Sequence, residues 1–461
     1  MAKSDRVGTD PRSTWRGQVL PVPNATLPYW RTEPHHLDEY RSTTELPKEC
    51  DIAIIGSGLS GVATAYHLSE QAGISPPSIV LLEARQVCSG ATGRNGGHCK
   101  VKSTTLRSVS EKHGPARANE FAKFVDDQIY ALKRTVEKEK LDCEFELRRS
   151  YDVFLDADEA DNVVAGFSAS LDQDHLWTRE RSLVDASFAE QLTSVKDVET
   201  AISSPICSFW PYKFVTQLLS RLVERDAVNL QTNTPVTAVT TDPSGCNIIH
   251  TARGAIKASK VIFATNAYTS GICPLFDGQI VPTSSTAAHI RPERPVAPHL
   301  SDTYNIAYPQ GPVDTEYVDY LNPRPDGGIV VGGAKWTFAN DRSCWYDNWD
   351  DSVQLPGAKA HFDGLMQRHF LGWENSGAVT DHIWTGIQGV TSDGMPYVGV
   401  LPGQEDRQYV LAGYNGGGNA MIFLCAKGVA EMVLRGLPYQ ATGLPSMFEC
   451  RQERLHGARV G

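Results

Sequence analysis

The sequence lacks several features, and each absence argues against a class of protein or site. It has no apolar run of about 18 residues, so it predicts no transmembrane helix. Its 10 cysteines are scattered, without a CxxC pair or another spacing typical of metal ligands, which favours reduced thiols in an intracellular protein and predicts no metal site. Lys and Arg number 43 against 54 Asp and Glu, for a net charge of -11, so we expect no nucleic-acid partner. The first residues lack the apolar segment of a secretory signal, and we expect a cytoplasmic protein without a membrane partner.

The strongest pattern lies near the N-terminus and predicts a nucleotide-binding βα unit. An apolar, β-branched strand at 52–55 runs into a tight turn, and an apolar helix follows at 62–68. A second apolar strand at 79–82 ends at Glu83, close to the 20 or so residues expected after the last glycine. The turn consists of Gly56, Ser57, Gly58, Leu59, Ser60 and Gly61.

Each position of this turn has a physical role in binding a dinucleotide. Gly56 lets the chain leave the strand, Gly58 lets the backbone approach a pyrophosphate, and Gly61 lets the helix pack closely on the strand. The helix N-terminus directs N–H groups and a positive dipole end at the phosphates. Glu83 can accept hydrogen bonds from ribose hydroxyls and disfavours a 2′-phosphate, so a nucleotide of the NADP type is not expected.

Two further glycine-rich stretches suggest backbone contacts with a cofactor. The first is a polar, flexible loop of Ser89, Gly90, Ala91, Thr92, Gly93, Arg94, Asn95, Gly96 and Gly97, followed by His98. The second begins with the segment 384–399, which contains Gly386 and Gly389, and a strand at 409–412 comes after it. A turn of Tyr414, Asn415, Gly416, Gly417, Gly418, Asn419, Ala420 and Met421 then opens an apolar helix. Such a turn directs N–H groups at an anion.

These motifs resemble those of the FAD-dependent amine and amino-acid oxidase superfamily, which contains D-amino-acid oxidase, glycine oxidase and sarcosine oxidase. The loop is most similar to the branch that includes gamma-glutamylputrescine oxidase. The resemblance implies an α/β fold, with a Rossmann-type FAD-binding domain (GR2-like flavoprotein) and an inserted antiparallel-sheet substrate domain. It also implies FAD contacts from Glu83, Ala84, Arg85, the loop from Ser89 to His98, Val236, Thr265, Asn266, Ala267, Gly386, Gly389 and the turn from Tyr414 to Met421.

The pattern of periodic segments gives a domain prediction. We predict an N-terminal arm at 1–47, an FAD-binding domain at 48–114, 206–270 and 376–440, a substrate domain at 115–205 and 271–375, and a tail at 441–461. Helices are predicted at 114–140, 158–173 and 211–223 from apolar residues at steps of three and four. Strands between 280 and 333, separated by Pro, Gly and Asp turns, predict an antiparallel sheet whose cleft with the flavin domain holds the substrate.

The resemblance implies two-electron oxidation of a C–N bond of a small amine or amino acid. A hydride passes to flavin N5, the resulting imine hydrolyses, and O2 is the expected acceptor. Candidate catalytic residues are His98, which follows the loop, and Lys335, which ends a strand; for both, a purely structural or solvated role is the alternative. Candidate substrate-binding residues are Arg291, Tyr317, Tyr320 and Trp384, and for Trp384 core packing is the alternative.

Three alternatives accompany this interpretation. A tailoring oxidase or monooxygenase acting on a secondary metabolite is one, although an NADPH-using monooxygenase needs a second GxGxxG, which this sequence lacks. A protein that holds FAD without catalysis is another. The third is a covalent bond between the protein and FAD, which some members of the superfamily form through a Cys or a His. Here Cys344 lies outside any matching motif, and Arg94 and Asn95 occupy the positions nearest to the His-linked pattern. We therefore expect non-covalent FAD.

Overall fold

The structure is a computed structural model that describes residues 19–404 and 406–457. The strands are β1 Glu49–Ile55, β2 Ile79–Leu82, β3 His98–Cys99, β4 Glu146–Phe154, β5 Ser182–Val184, β6 Thr200–Ser208, β7 Asn229–Gln231, β8 Val236–Thr241, β9 Asn247–Thr251, β10 Gly254–Phe263, β11 Val281–Arg291, β12 Thr303–Ala307, β13 Val318–Pro323, β14 Ile329–Gly333, β15 Val379–Val390, β16 Tyr397–Val400 and β17 Gln408–Ala412. The helices are α1 Leu59–Gln71, α2 Ser103–His113, α3 Pro115–Glu139, α4 Ala157–Asp172, α5 Ala186–Thr193, α6 Pro211–Glu224, α7 Ala358–Phe362, α8 Leu365–His369, α9 Ile422–Arg435 and α10 Gln452–Leu455. No helix in these two ranges is both long and apolar enough to cross a membrane.

The first sheet carries the nucleotide-binding pattern. Its strand order is β16-β17-β10-β1-β2-β7, with β9 paired to β10 and β8 to β9. The pairs among β17, β10, β1, β2 and β7 are parallel. Ile52 and Ile54 of β1 pack with α1, α6 and α9, while Ala53 and Ile55 pack with the β8–β9 side. Both faces of β1 are therefore covered, which explains its continuous apolar sequence.

The second sheet has the order β15-β11-β14-β13-β12-β4-β6-β3, with β5 added on β6. It is antiparallel except for β4 and β12, which run parallel. A parallel pair needs a long crossover, and here the chain passes through the first sheet between the two strands. The prediction of an antiparallel sheet is thus correct for every pair but this one.

The predicted helices and most predicted strands appear within a few residues of their expected bounds. The sequence interpretation did not identify α2 or β6, and it described 384–390 as a glycine-rich segment, whereas those residues belong to the long strand β15. Three segments placed in the FAD-binding blocks pair in the second sheet instead: β3, the end of β6, and β15. The domain division itself stays a prediction.

The described part of the N-terminal arm is buried at its aromatic pair. Trp30 is fully buried, and its indole Nε1 donates a hydrogen bond of 2.5 Å to the carbonyl of Asn95. Trp210 Nε1 in turn donates to the carbonyl of Trp30 at 2.7 Å. The arm therefore supports the loop from Ser89 to His98 from behind. Residues 1–18 and 458–461 lie outside the described ranges.

Candidate active site

A cavity of about 260 Å³ lies between the two sheets, at the C-terminal ends of β1, β2 and β10. Clefts at this edge of a doubly wound sheet are the usual ligand sites of such folds. The predicted residues that line it are Gly56, Gly58, Leu59, Ser60, Glu83, Ala84, Arg85, Ser89, Gly90, Ala91, Thr92, Arg94, Asn95, Gly96, His98, Val236, Thr265, Asn266, Ala267, Tyr320, Gly386, Tyr414, Gly416, Gly417, Gly418, Asn419 and Ala420. The tertiary structure thus brings segments together that are more than 300 residues apart in the chain.

The first glycine turn forms a close-packed cradle that side chains would fill. Gly56 has φ +106°, and a Cβ there would lie 2.6 Å from the carbonyl oxygen of Ala264. A Cβ on Gly61 would lie 1.8 Å from the carbonyl oxygen of Gly56, so Gly61 is required for the helix to meet the strand. A Cβ on Gly58 would lie 3.1 Å from Thr92 Oγ1 and would narrow the opening beside the helix N-terminus.

Glu83 is held at the edge of the cavity by its neighbours. Its Oε2 accepts hydrogen bonds from Ser57 N at 3.0 Å and from Ser57 Oγ at 2.7 Å, and its Oε1 accepts one from Arg85 N at 3.0 Å. Ser57 itself is fully buried and does not line the cavity. Its role in this structure is to orient the carboxylate that would meet the ribose.

A buried ion cluster fixes the loop from Ser89 to His98, and its acidic member, Asp351, was not predicted from the sequence. Asp351 is paired through both carboxylate oxygens with Arg85, at 2.9 Å each, and Arg94 Nε lies 3.4 Å from Asp351 Oδ2. Arg94 also donates to the carbonyls of Ser89 and Thr385, at 2.8 Å each. Burial lowers the pKa of Arg94 to about 10, in spite of the nearby Asp351 charge, so it stays a cation at neutral pH. Arg94 therefore joins the loop to β15, in addition to lining the cavity.

The end of the loop, at Gly96 and Gly97, packs closely against the aromatic rings of Tyr320 and Trp30. A Cβ on Gly96 would lie 2.6 Å from Tyr320 Cε2, and one on Gly97, which has φ +69°, would lie 2.7 Å from Trp30 Cζ2. Asn95 Oδ1 accepts from Gly97 N at 2.8 Å and from Asn419 Nδ2 at 3.0 Å. These contacts join the loop to the C-terminal glycine turn across the cavity.

His98, Lys100 and Tyr320 form the wall of the cavity on the side of the second sheet. The His98 ring stands edge-on to Tyr320, with centroids 5.5 Å apart, and its buried Nδ1 has no hydrogen-bond partner. Burial, together with the nearby Lys100 charge, lowers the pKa of His98 to about 3, so this imidazole is neutral. Burial likewise raises the pKa of the Tyr320 hydroxyl, so Tyr320 is neutral too.

Lys100 is a charged residue of this wall that the sequence interpretation did not single out. Its Nζ donates to Ser150 Oγ at 2.5 Å and lies 3.6 Å from Asp152 Oδ1. Burial lowers the pKa of Lys100 to about 8, while Asp152 opposes the shift. Lys100 is two residues after His98 in an extended segment. Side chains two residues apart in such a segment point to the same face, so this spacing could have identified Lys100 from the sequence.

The C-terminal glycine turn is anchored to the loop after β10. Asn266 Oδ1 accepts from Gly413 N at 3.0 Å and from Tyr414 N at 3.2 Å. A Cβ on Gly389 would lie 3.0 Å from the backbone nitrogen of Ala267, so Gly389 allows β15 to pass close behind this loop. Gln388 and Ser285, which were not predicted, also line the cavity from β15 and β11.

Several predicted residues lie away from the cavity lining. Among the predicted cofactor contacts, these are Ser57, Gly61, Gly93, Gly97, Gly389, Asn415 and Met421. Ser57 supports a lining residue from behind through its hydrogen bonds to Glu83, and Asn415 Oδ1 accepts from Thr391 N at 2.8 Å. Their contact with a cofactor stays a prediction.

Four predicted catalytic or substrate-binding residues also lie elsewhere. Lys335 is exposed, with its Nζ 4.7 Å from the ring centroid of Trp345. Arg291 is 61% exposed and its Nε lies 3.5 Å from Asp381 Oδ2. Tyr317 stacks on Trp336 and lines a second cavity. Trp384 is fully buried and donates to the carbonyl of Arg94 at 2.8 Å. It therefore packs in the core, as the alternative to substrate binding had it.

The cavity fits FAD by its own chemistry. It combines a glycine cradle at a helix N-terminus for a pyrophosphate, a carboxylate for ribose and a second group of glycines at the far end. None of the ten cysteines, all of which lie in the described ranges, lines it.

Comparison with known proteins identifies the family. Residues 51–432 match the DAO family of FAD dependent oxidoreductases. The chain is 25% identical over 406 residues to a gamma-glutamylputrescine oxidoreductase of Escherichia coli, covering 84% of each protein. It is 24% identical over 404 residues to a probable oxidoreductase, OrdL, of Rhizobium meliloti, covering 84% of this chain and 83% of the relative. Its fold is similar to that of glycine oxidase from Geobacillus kaustophilus, with a TM-score of 0.65 at 17% identity over 90% of this chain and 100% of the other. The predicted family, fold class and cofactor are therefore confirmed: this chain belongs to the DAO family and is an FAD-dependent oxidoreductase.

Proposed function

We propose that this protein oxidises the C–N bond of a small amine or amino acid at the wall formed by His98, Lys100 and Tyr320. The observation that carries the proposal is the continuity of the cavity from the glycine cradle to this wall. A relative supports the substrate class, since it is named as a gamma-glutamylputrescine oxidoreductase. Bound FAD would supply the chemistry, as the acceptor of a hydride from the carbon that carries the nitrogen, and we propose O2 as the final acceptor.

The charges of the wall favour a substrate amine in its neutral form. His98 is uncharged, and Lys100 carries a positive charge below its pKa of about 8. A cation beside an amine disfavours protonation of that amine. The nitrogen lone pair that assists loss of hydride from the neighbouring carbon is therefore available, without a dedicated base.

The same lysine can bind a carboxylate group. An ammonium carries three donor hydrogens, and Lys100 uses one on Ser150 and has a carboxylate neighbour in Asp152. At the nucleotide end of the cavity, Arg85 and Arg94 share Asp351 and also donate to backbone carbonyls, so most of their donor groups are already engaged by the protein. Lys100 is thus the lining cation best placed to receive a substrate carboxylate, which favours amino acids over simple amines.

We propose that FAD is held without a covalent bond. The absence of cysteine from the cavity lining supports this. The positions nearest to a His-linked attachment hold Arg94 and Asn95, and both side chains are engaged in hydrogen bonds with the protein. Precipitation of the protein with acid should release the yellow cofactor into the supernatant.

The test is the visible absorbance of the purified protein, before and after anaerobic addition of a panel of amines and amino acids. The panel contains sarcosine, glycine, D-amino acids, polyamines and glutamylated polyamines. Bleaching of the flavin band near about 450 nm by one class, followed by recovery of the colour on admission of O2, is the expected result. A yellow protein that no member of the panel bleaches contradicts the proposed substrate class, and bleaching without reoxidation by O2 contradicts the proposed acceptor.

A further inference from the structure

Three potential metal ligands come together on the edge pair of the second sheet, at a β-bulge. His289 of β11 lies opposite His382 of β15, and the next pair is Ile290 with Thr380. Asp381 therefore has no partner on β11. In a regular strand, Asp381 and His382 would point to opposite faces of the sheet. The extra residue of a bulge re-aims a side chain, and here it brings the Asp381 carboxylate next to both His289 and His382.

The donor atoms converge on one carboxylate oxygen. Asp381 Oδ1 lies 2.7 Å from His289 Nδ1 and 3.2 Å from His382 Nδ1. One donor atom from each of the three residues lies within 4.8 Å of the others. Zinc bound tetrahedrally to imidazole and carboxylate at about 2.0 to 2.2 Å separates neighbouring donors by about 3.3 Å. Small rotations of the side chains would therefore reach a metal-binding arrangement.

The cluster is rigid on one side and accessible on the other. The side chain of His289 is 3% exposed, and its ring is stacked on Tyr29 with centroids 3.9 Å apart. Asp381 and His382 are 22% and 32% exposed, so a hydrated ion can reach them. Arg291 Nε lies 3.5 Å from Asp381 Oδ2 and opposes a cation, but Arg291 is 61% exposed and free to turn towards water.

We propose that His289, Asp381 and His382 form a binding site for a divalent transition-metal ion, with Zn²⁺ as the preferred ion and water completing its coordination. Imidazole and carboxylate ligands suit zinc, and a three-ligand protein set leaves a position for water. None of the three residues lines the FAD cavity, so the site is structural and independent of the proposed reaction. A bound ion would fasten β11 and β15 beneath Tyr29, whose neighbour Trp30 contacts the loop at Asn95.

The test uses the FAD-loaded protein, freed of metal by dialysis against a chelator and titrated with Zn²⁺ by calorimetry. Metal content after gel filtration is measured by mass spectrometry. We expect about one ion per chain and a loss of affinity of at least about tenfold in both D381N and H382A. R291Q should bind more tightly, since it removes the opposing charge. H113A, which removes an exposed imidazole from the end of α2, is the matched control and should leave binding unchanged.

The visible absorbance of FAD in each variant shows that the protein is folded, independently of metal binding and of activity. The partly exposed Asp381 and His382 are chosen because their replacement disturbs packing less than replacement of His289. Absence of saturable binding would overturn the proposal, and so would binding that D381N and H382A leave unchanged. Either result would mean that the cluster is a hydrogen-bonded Asp–His contact that only supports the bulge.

Discussion

Replacing Asp351 by Asn should strongly destabilise the protein. Asp351 is 1% exposed and is the carboxylate for two arginines that are themselves nearly buried, Arg85 at 11% and Arg94 at 2%. The amide of Asn keeps the shape but loses the charge, and its NH₂ group faces guanidinium donors. Neither arginine can escape by losing a proton at neutral pH. Breaking a buried pair in this way costs about 3–5 kcal/mol, and we expect the free energy of unfolding to fall by that amount.

The effect should extend to the cofactor, because both arginines hold the loop that lines the cavity. Arg94 Nε and Arg85 Nη2 donate to the carbonyl of Ser89, at 2.8 Å and 3.3 Å. Without the Asp351 carboxylate, the Arg85 and Arg94 side chains are no longer fixed, and the loop loses their support. The assay is equilibrium unfolding in urea, followed by tryptophan fluorescence, together with the amount of FAD retained after gel filtration.

The control is D350N at the neighbouring position. Asp350 accepts hydrogen bonds from the backbone and hydroxyl of Ser352, and the Asn oxygen can replace these contacts, so a change below about 1 kcal/mol is expected. The double variant R94M D351N should recover part of the loss of D351N, since it removes one of the two uncompensated cations. If D351N costs less than about 1 kcal/mol, or no more than D350N, the buried-charge argument is refuted.

Two further predictions concern the wall and the loop. K100M should weaken the binding of small carboxylates, followed by perturbation of the flavin spectrum, by about tenfold or more, because a charge-assisted hydrogen bond is lost. The charge on Lys100 is present below its pKa of about 8 and is lost as the pH rises through it, so carboxylate binding to the unaltered protein should weaken above about pH 8. K100M should lack this pH dependence, and its persistence in K100M would refute the assignment. G96A should lower FAD retention, since its Cβ would lie 2.6 Å from the Tyr320 ring. The control G73A, whose Cβ meets nothing within 4 Å and which does not line the cavity, should retain FAD; equal retention would contradict the close-packing argument.

The sequence by itself determined the nucleotide-binding unit and the family. The strand, the glycine turn, the helix and Glu83 are adjacent in the chain, so local periodicity and spacing are sufficient to specify them. The helices α3, α4 and α6 were predictable for the same reason, since each buries one regular face.

Only the tertiary structure decided which residues complete the site. Asp351 lies in a loop with no periodic pattern, and its role depends on arginines more than 250 residues away in the chain. Lys335 was a catalytic candidate and Trp384 a substrate-binding candidate in the sequence, but Lys335 is exposed and Trp384 is fully buried behind the loop. The proposed metal ligands depend on a bulge that shifts the register of two strands. Burial, register and charge pairing are products of long-range packing, and a sequence pattern reports only the local chain.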